Sequence, residues 1–254
     1  MTVIGILSAK GGVGASLVAT NLGCVLAGYG QTLLIDLNPG SGADDLLLNL
    51  SPERSWADLL PVVKEISPKH LQLIIAGHPT GLKFMRTPEG WLNDIDWLAV
   101  VQLIGYLADE NEWLLLDMPT GMPAVTQSVF SMMDIALVVT TADPPALRAA
   151  GRLIKSLPPS LRNQSGLVVN QITRRHPASP VEIAGSLEIP LLAALQPDPR
   201  AVGYQVSFGN PCVSDRRSSF GRGVVLLAAR LRKAVEGRKE FGHAPMIKNA
   251  SIEN

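Results

Sequence analysis

Residues 3–16 read Val3-Ile4-Gly5-Ile6-Leu7-Ser8-Ala9-Lys10-Gly11-Gly12-Val13-Gly14-Ala15-Ser16, an apolar run that leads directly into a glycine-rich loop. Residues 16–28 follow with apolar side chains at helical spacing, so we predict a strand, a loop and a helix in that order. Such a loop directs backbone N–H groups inward, and the helix dipole favours negative charge at the helix N-terminus. We therefore predict that residues 10–16 hold the phosphate tail of a nucleotide.

Further apolar runs alternate with helical patterns along the chain, and they lie at residues 33–35, 113–116, 135–139, 167–169 and 189–193. These runs are apolar on both faces, which is typical of parallel strands covered by helices on each side. We predict an α/β fold with a doubly wound, mostly parallel sheet and helices on both faces. Ligands bind such sheets at the carboxyl ends of the strands, where Asp36, Asp117 and Asn170 stand.

Four other segments complete the expected secondary structure. Residues 55–60 predict a short helix with a serine cap, and residues 71–76 predict a strand. Residues 92–111 have the apolar spacing of a long amphipathic helix. Residues 223–241 predict a terminal helix whose apolar stripe packs on the sheet, although a basic amphipathic helix can also lie on a membrane.

The composition of the 254 residues narrows the class of protein. Lys and Arg together number 22, as do Asp and Glu, so the formal net charge is zero and exerts no general attraction for nucleic acid. The N-terminus shows no positively charged leader, and no run approaches the ~20 apolar residues that span a bilayer. We expect a cytoplasmic protein with one domain over residues 1–241, a disordered polar tail over residues 242–254 and no DNA partner.

The loop differs from the usual phosphate loop at one position. The usual form is G-x-x-x-x-G-K-[ST], and here Ala15 stands at the lysine position while Ser16 keeps the hydroxyl that contacts Mg²⁺. Asp36 and Asp117 each end an apolar strand, where a carboxylate either contacts Mg²⁺ through water or caps the following loop. Asn170 either contacts the base or shapes a turn. The residues therefore predict a site for a nucleotide and Mg²⁺ that lacks one lysine.

A family resemblance begins at this loop. The string Ala9-Lys10-Gly11-Gly12-Val13-Gly14 resembles the deviant Walker A loop of the ParA/MinD family of nucleotide-driven positioning proteins, and Lys10 matches its signature lysine. The following Ala15-Ser16 resembles the CpaE/TadZ branch, which is associated with localisation and assembly of Flp (Tad) type pili. Other segments extend the resemblance over most of the chain. Asp36-Leu37-Asn38 resembles the first switch of the family, and Leu116-Asp117-Met118-Pro119 resembles its Walker B segment. Val169-Asn170-Gln171 resembles the segment that reads the adenine base, and Pro197-Asp198-Pro199-Arg200 resembles the start of the closing segment.

The resemblance implies a P-loop NTPase that binds ATP with Mg²⁺ and forms a homodimer across the bound nucleotide. Lys10 reaches the partner's nucleotide in that family, so Lys10 and Asn38 are the implied catalytic residues. The implied metal site consists of Ser16, Asp36 and Asp117. The implied nucleotide-binding residues are Gly11, Gly12, Val13, Gly14, Ala15, Ser16, Leu17, Asn170 and Pro197.

Two departures from the family pattern concern hydrolysis. Ala15 removes the lysine that contacts the β- and γ-phosphates, and Asn38 stands where the family often has a second switch aspartate. Losing one charged hydrogen bond costs roughly 1.5–3 kcal/mol, which a high ATP concentration offsets. We therefore expect ATP binding with slow or absent hydrolysis, and the sequence leaves open whether the chain is an enzyme.

Three functions stay open on these residues. The first is a CpaE/TadZ-like protein that positions or helps to assemble a pilus or secretion apparatus, with polar or membrane placement only through its partners. The second is an active ParA/MinD-type ATPase that cycles on DNA or membrane for partition or division-site placement. The third is a scaffold that no longer binds nucleotide. Ala15, Asn38 and the zero net charge favour the first function over the second.

Overall fold

The computed structural model describes residues 1–90, 95–121 and 124–241, and an eight-stranded sheet forms its centre. The spatial order is β3-β4-β2-β5-β1-β6-β7-β8, and every neighbouring pair is parallel except β3 with β4. The predicted disordered tail at residues 242–254 lies outside the described residues. The strands are β1 (Thr2–Leu7), β2 (Thr32–Asp36), β3 (Ala76–Gly77), β4 (Lys83–Met85), β5 (Trp113–Asp117), β6 (Ile135–Thr141), β7 (Ser165–Asn170) and β8 (Leu191–Ala194).

Helices connect the parallel strands, as crossover connections in such a sheet require. Three 3-10 segments accompany them, at Trp56–Glu65, Ala124–Met132 and Cys212–Ser214. The α-helices are α1 (Ala15–Leu26), α2 (Asp44–Leu47), α3 (Pro68–Ile74), α4 (Trp97–Asp109), α5 (Pro144–Ser156), α6 (Pro159–Arg162), α7 (Pro180–Ser186), α8 (Pro199–Phe208) and α9 (Ser219–Phe241).

The sheet has a hydrophobic core on each face, because the strands are apolar on both sides. In β1, Val3 and Leu7 pack into one core with α4 and α5, whereas Ile4 and Ile6 pack into the other with α1 and α9. The predicted doubly wound, mostly parallel sheet is confirmed. The apolar stripe of α9 also packs on the sheet as predicted, since the side chains of Val224, Leu227, Ala228 and Leu231 are buried.

The strand predicted at residues 71–76 is wrong. Most of that segment belongs to helix α3, and only Ala76–Gly77 pairs with the sheet, antiparallel to β4. The start of α3 explains the difference, because Pro68 occupies the first turn and the backbone N–H of Ser67 donates to Nδ1 of His70, 3.3 Å away. These capping contacts favour a helix over the extended conformation that the apolar residues alone suggested.

The remaining boundaries differ modestly from the prediction. Helix α4 begins at Trp97 because the carboxylate of Asp96 accepts the backbone N–H groups of Leu98 and Ala99, at 3.0 and 3.2 Å. Residues 91–94, which the prediction placed in the same helix, lie outside the described residues. Helix α9 begins at Ser219, four residues before the predicted start. The 3-10 segment Trp56–Glu65 is the short helix expected at residues 55–60.

A buried polar network joins the first helix to the second half of the chain. The side-chain amide of Asn21 donates to Oε1 of Gln205 at 2.8 Å, and Nε2 of Gln205 donates to the backbone oxygen of Leu47 at 3.1 Å. Backbone N–H groups of Cys212 and Val213 donate to Gln205 and Asn21, both at 3.0 Å. The network therefore ties α1, α2, α8 and the segment Cys212–Ser214 together, with Gln205 fully buried.

Two further observations concern the membrane and the cysteines. Within the described ranges, the helices are all too short or too polar to cross a bilayer. Cys24 and Cys212 are free and buried, which is typical of cysteines that pack as small apolar residues.

Candidate functional site

The glycine loop leaves β1 at the carboxyl edge of the sheet and ends at α1. Gly12 and Gly14 have φ angles of +80° and +90°, a left-handed conformation that glycine adopts without strain. Gly14 is the residue before the helix, and no side chain caps the N-terminus of α1. The first N–H groups of a helix lack partners inside it, so this end of α1 suits an anion.

The space above the loop is open at two of its glycines. A Cβ added at Gly11 or Gly12 would meet nothing within 4 Å, whereas one added at Gly14 would overlap Nδ2 of Asn170. The backbone at Gly11 and Gly12 is therefore accessible to a phosphate, whereas the backbone at Gly14 lies close to Asn170 at the end of β7. Ala15 begins α1 with its side chain buried, and Leu17, two residues further along the helix, is partly buried.

Asn170 braces the loop from the end of β7. Its Nδ2 donates to the backbone oxygen of Val13 at 2.8 Å, and its Oδ1 accepts the N–H of Gln171 at 2.9 Å. Both polar atoms of the buried side chain are thus engaged, and the adenine contact of Asn170 stays a prediction. Pro197 is exposed immediately before Asp198, which caps α8, so its contact with the nucleotide also stays a prediction.

The predicted metal-site residues lie together at the ends of neighbouring strands. Asp36 of β2 and Asp117 of β5 are register partners, and both side chains are 1% exposed. The hydroxyl of Ser16 donates to Oδ2 of Asp117 at 2.6 Å, which joins the start of α1 to this pair. The sheet register therefore brings Ser16, Asp36 and Asp117 into one place, and their role as ligands stays a prediction.

Asn38 lies between the two aspartates as a hydrogen-bond donor. Its backbone N–H donates to Oδ1 of Asp36 at 2.9 Å, and its Nδ2 donates to Oδ2 of Asp117 at 3.1 Å. An aspartate at this position would face Asp117 with a second negative charge and no donor. Asn38 therefore stabilises the two carboxylates. The sequence showed Asn38 only as a departure from the switch aspartate of the family, and it did not reveal this contact.

Sequence reasoning missed Asp44, the first residue of α2. Its side chain is fully buried, and neither carboxylate oxygen has a hydrogen-bond partner among the described residues. One oxygen of Asp44 lies within 4.8 Å of an oxygen of Asp36 and of Asp117, which are likewise within that distance of each other. We refer to these three residues as the acidic pocket. The signal in the sequence was the pair Asp44-Asp45 directly before the apolar run 46–48.

Burial governs the electrostatics of the acidic pocket. Removal from water raises the pKa of Asp36 to about 6, although hydrogen bonds from Asn38 oppose the rise. Burial, and then the charges of neighbouring aspartates, raise the pKa values of Asp44 and Asp117 well above the usual range. Gly42 permits the close packing, because a Cβ there would overlap Oδ2 of Asp36.

The donor set of the pocket fits a hard divalent cation. Oxygen ligands such as carboxylates are those that Mg²⁺ prefers, and the two oxygens of Asp44 and Oδ1 of Asp117 are buried without a hydrogen-bond partner among the described residues. Ser16, Asp36, Asp44 and Asp117 are the residues that would hold it. A cation bound here supplies positive charge beside the phosphates of a nucleotide on the loop.

Lys10, the other predicted catalytic residue, forms an ion pair at the surface. Its Nζ donates to Oδ1 of Asp143 at 2.9 Å, and the two side chains are 45% and 41% exposed. Asp143 also accepts the hydroxyl of Thr141 and caps α5 through the N–H of Ala146. The Thr141 hydroxyl first, and then Lys10, lower the pKa of Asp143 to about 2. Exposed pairs are weak, so Lys10 can leave Asp143 at little cost.

Comparison with known families and proteins adds to this geometry. Residues 1–178 match the family model described as cellulose biosynthesis protein BcsQ. The septum site-determining protein MinD of Synechocystis is 27% identical over 224 residues, which cover 85% of this chain and 84% of that protein. The antiactivator FleN of Pseudomonas aeruginosa is 27% identical over 161 residues, covering 60% of this chain and 56% of FleN.

Solved structures have the same fold. A ParA family ATPase from Chlorobium tepidum superposes with a TM-score of 0.83 at 21% identity, covering 90% of this chain and 98% of that chain. A chain of the MinC:MinD complex of Aquifex aeolicus gives a TM-score of 0.78 at 25% identity, covering 92% and 96%. MinD of Pyrococcus horikoshii, complexed with Mg-ADP, gives 0.73 at 21% identity, covering 92% and 97%. The sheet described above is therefore that of the ParA and MinD P-loop structures.

Proposed function

Because this chain belongs to the family of the cellulose biosynthesis protein BcsQ, among the P-loop ATPases of ParA/MinD type, we propose that it is a nucleotide-driven switch. It binds ATP with Mg²⁺, pairs with a second copy across the nucleotide and acts on an apparatus of the cell envelope. Its hydrolysis is slow or absent, so the bound state itself is the signal.

One observation carries the proposal. The uncapped N-terminus of α1 and the open glycines 11 and 12 lie beside Ser16, whose hydroxyl is 2.6 Å from Oδ2 of Asp117. Phosphates and a hard cation therefore have adjoining sites, which is the arrangement that a Mg²⁺–nucleotide complex needs. The Mg-ADP complex of Pyrococcus horikoshii MinD, a protein with the same fold, supports the choice of ligand.

Slow hydrolysis follows from the residues around that site. Phosphoryl transfer requires cationic groups on the γ-phosphate and a positioned water. Ala15 offers no charge, and Asn38 is already engaged with the carboxylate of Asp117. Lys10 is the remaining lysine of the loop, and its exposed pair with Asp143 leaves it available to the nucleotide of a second copy. These features support a dimer that forms readily and turns over slowly.

The apparatus is proposed from the family description. The name of the matching family favours a role in cellulose biosynthesis, in which the switch positions or helps to assemble the synthesis and export machinery. The pilus role suggested by the resemblance of Ala15-Ser16 to the CpaE/TadZ branch has no further observation in its favour and remains a prediction. Deleting the gene and measuring extracellular cellulose and surface pili separately distinguishes the two, since we expect loss of cellulose with pili unchanged.

A second candidate function rests on the similarity to MinD. The match over 224 residues favours an ATPase that cycles on a membrane or DNA surface, while Ala15 opposes it. Steady-state phosphate release decides between the two, because a cycling ATPase accelerates when its surface or partner is added and a slow switch does not.

Calorimetric titration with ATP tests nucleotide binding. We expect the wild type to bind in the micromolar to near-millimolar range with Mg²⁺, and Gly14→Val to lose binding because a side chain there blocks the loop and overlaps Asn170. Since Gly14 has a positive φ, Gly11→Val serves as a second variant whose added side chain has open space. Gly185→Val in α7, also in open space, is the matched control and should bind ATP like the wild type. Equal binding by all four proteins would remove the loop from the proposal.

A further inference from the structure

We propose that the acidic pocket binds a divalent cation of the Mg²⁺ or Mn²⁺ class without any nucleotide, with Asp44 as a direct ligand beside Asp36 and Asp117. This inference goes beyond the proposed function, because it requires neither ATP nor a second copy of the chain. It assigns Asp44 to a ligand set that the motif-based prediction confined to Ser16, Asp36 and Asp117.

The position of Asp44 is the first argument. Its side chain is fully buried, yet both carboxylate oxygens lack a hydrogen-bond partner in the part of the chain that the structure describes. Buried polar groups in native proteins are nearly always hydrogen-bonded, and an unpartnered carboxylate is among the most costly exceptions. The same carboxylate lies within 4.8 Å of an oxygen from each of two other buried aspartates. A metal ion would offset this cost, which no hydrogen bond from a described side chain does.

Charge balance is the second argument. The ion pairs among the described residues are Lys10–Asp143, Arg86–Glu89 and Arg232–Glu236, so none of them includes an aspartate of the pocket. Among the described residues, the donors that reach the carboxylates of Asp36 and Asp117 are all neutral. They are the hydroxyl of Ser16, the backbone and side-chain amides of Asn38, and the backbone N–H of Asp44. Three buried carboxylates with neutral donors alone favour either protonation or a divalent cation.

The form of the pocket selects the class of cation. The partnerless atoms include both oxygens of Asp44 and Oδ1 of Asp117, all hard ligands without sulfur or imidazole. Gly42 lets the backbone approach Asp36 so closely that a Cβ would overlap Oδ2 and also the methyl group of Thr87. A tight set of three carboxylates suits a small octahedral ion that keeps some of its water better than Ca²⁺, which takes about 6–8 oxygens.

Titration of the nucleotide-free full chain with Mn²⁺, followed by the EPR signal of free Mn²⁺, tests the proposal. We expect one Mn²⁺ bound per chain and displaced by Mg²⁺. Asp44→Asn should weaken binding about tenfold or more, the loss that follows from one charged contact. Asp45→Asn is the matched control, because it removes the same charge one residue along α2 from a side chain outside the cluster. The charge of Asp45 also acts on Asp36 and Asp44, so this variant should weaken Mn²⁺ binding by clearly less than Asp44→Asn does.

Thermal unfolding separates a ligand from a structural residue. If Asp44 is a ligand, Asp44→Asn should raise Tm in EDTA, because one of three like charges is removed, and should abolish most of the rise in Tm that Mg²⁺ gives the wild type. A purely structural Asp44 predicts the opposite, a lower Tm with and without Mg²⁺. That result, or wild-type Mn²⁺ affinity in Asp44→Asn, overturns the proposal.

Measuring ATP binding and Mn²⁺ binding on the same proteins distinguishes the cation site from the proposed nucleotide switch. Gly11→Val should lose ATP and retain Mn²⁺, since the loop glycines lie outside the acidic pocket. A wild type that binds Mn²⁺ but no ATP would refute the nucleotide switch and leave the cation site standing. A wild type that binds Mg²⁺–ATP but no Mn²⁺ alone would refute the cation site and leave the switch standing.

Discussion

Two carboxylate sites adjoin the glycine loop, and their electrostatics are opposite. In the acidic pocket, burial raises the pKa values of Asp36, Asp44 and Asp117. At the surface, the Thr141 hydroxyl and Lys10 lower the pKa of Asp143 to about 2. Within the described ranges, the first site forms no ion pair with a cationic side chain, whereas the second has one 2.9 Å away.

The contrast shows that the position of the positive charge, and not the number of carboxylates, distinguishes the two sites. An exposed aspartate with a lysine is satisfied within the chain and needs nothing further. Buried aspartates with neutral donors alone are satisfied only by a proton or an external cation. The chain therefore places its loop lysine at the surface, and the interior of the site is where we propose that a metal ion binds.

The largest expected effect is on the rate of ATP hydrolysis, which depends on positive charge next to the phosphates. We expect wild-type phosphate release far below typical enzyme rates of about 1–10³ s⁻¹, on the order of one event per many minutes. The double variant Ala15→Lys with Asn38→Asp should exceed the two single variants combined, because it supplies a phosphate-binding cation and a group that accepts the water's proton. Lys10→Ala should reduce both turnover and ATP-dependent dimerisation.

Steady-state phosphate release and light scattering on the same samples check this prediction. A wild type that turned over several times per second, with Lys10→Ala unchanged, would contradict both the slow switch and the role of Lys10. Asn38→Asp alone should restore little, since the γ-phosphate would still lack its lysine.

ATP affinity provides the next largest effect. Ala15→Lys should tighten binding by about tenfold or more, because it adds a charged hydrogen bond to the phosphates. Calorimetry measures the change, with Ala15→Met as a control for side-chain length without charge. Equal affinities of the Lys and Met variants would show that the gain comes from packing, and no gain in a folded Ala15→Lys would show that Lys10 already fills the role.

Stability of the acidic pocket should respond to Asn38 in the metal-free chain. Asn38→Asp removes the donor that lies 3.1 Å from Oδ2 of Asp117 and adds a carboxylate there. We expect a loss of roughly 1–3 kcal/mol in the free energy of unfolding in EDTA, partly recovered with Mg²⁺. Urea unfolding under both conditions measures it. If Asn38→Asp is as stable as the wild type in EDTA, the side-chain amide of Asn38 does not stabilise the buried carboxylates, and this account of the acidic pocket is wrong.

The smallest effect belongs to Asp143. Its pKa lies below the ordinary value of 3.8, so its charged form stabilises the folded chain above that pH. This contribution should disappear as the pH falls from about 4 to about 2, and because the group is exposed it should amount to less than about 1 kcal/mol. Unfolding of Asp143→Asn and wild type across that range measures the difference, which should vanish at the acid end. If the stability advantage of the wild type over Asp143→Asn instead grew as the pH fell, the pKa of Asp143 would be raised in the folded chain and not lowered.

The sequence predicted those parts of the molecule that local pattern controls. The glycine loop, Ser16 and the strands ending in Asp36 and Asp117 are recognisable because strand periodicity and loop chemistry involve neighbouring residues. Strand register then places the two aspartates side by side. Capping at Ser67 was also local, but the apolar residues that follow it suggested a strand more strongly, so α3 was mispredicted.

Asp44 and Asn38 could not be interpreted in the same way. The burial of Asp44 depends on where α2 docks, and that position is fixed by residues far along the chain. Asn38 differs from the family pattern by one charge, which suggested a loss of function. Its hydrogen bonds to Asp36 and Asp117 instead show a stabilising contact that becomes visible only when the two strands are adjacent.

The buried network of Asn21 and Gln205 limits how the chain can be divided. A protein ending at residue 178 would contain the whole segment that matches the family model, including the loop and the acidic pocket. It would lack Gln205, whose amide holds the backbone oxygen of Leu47 at the end of α2, the helix that carries Asp44. The helix that carries Asp44 is therefore held in part by the sequence that the family model leaves out.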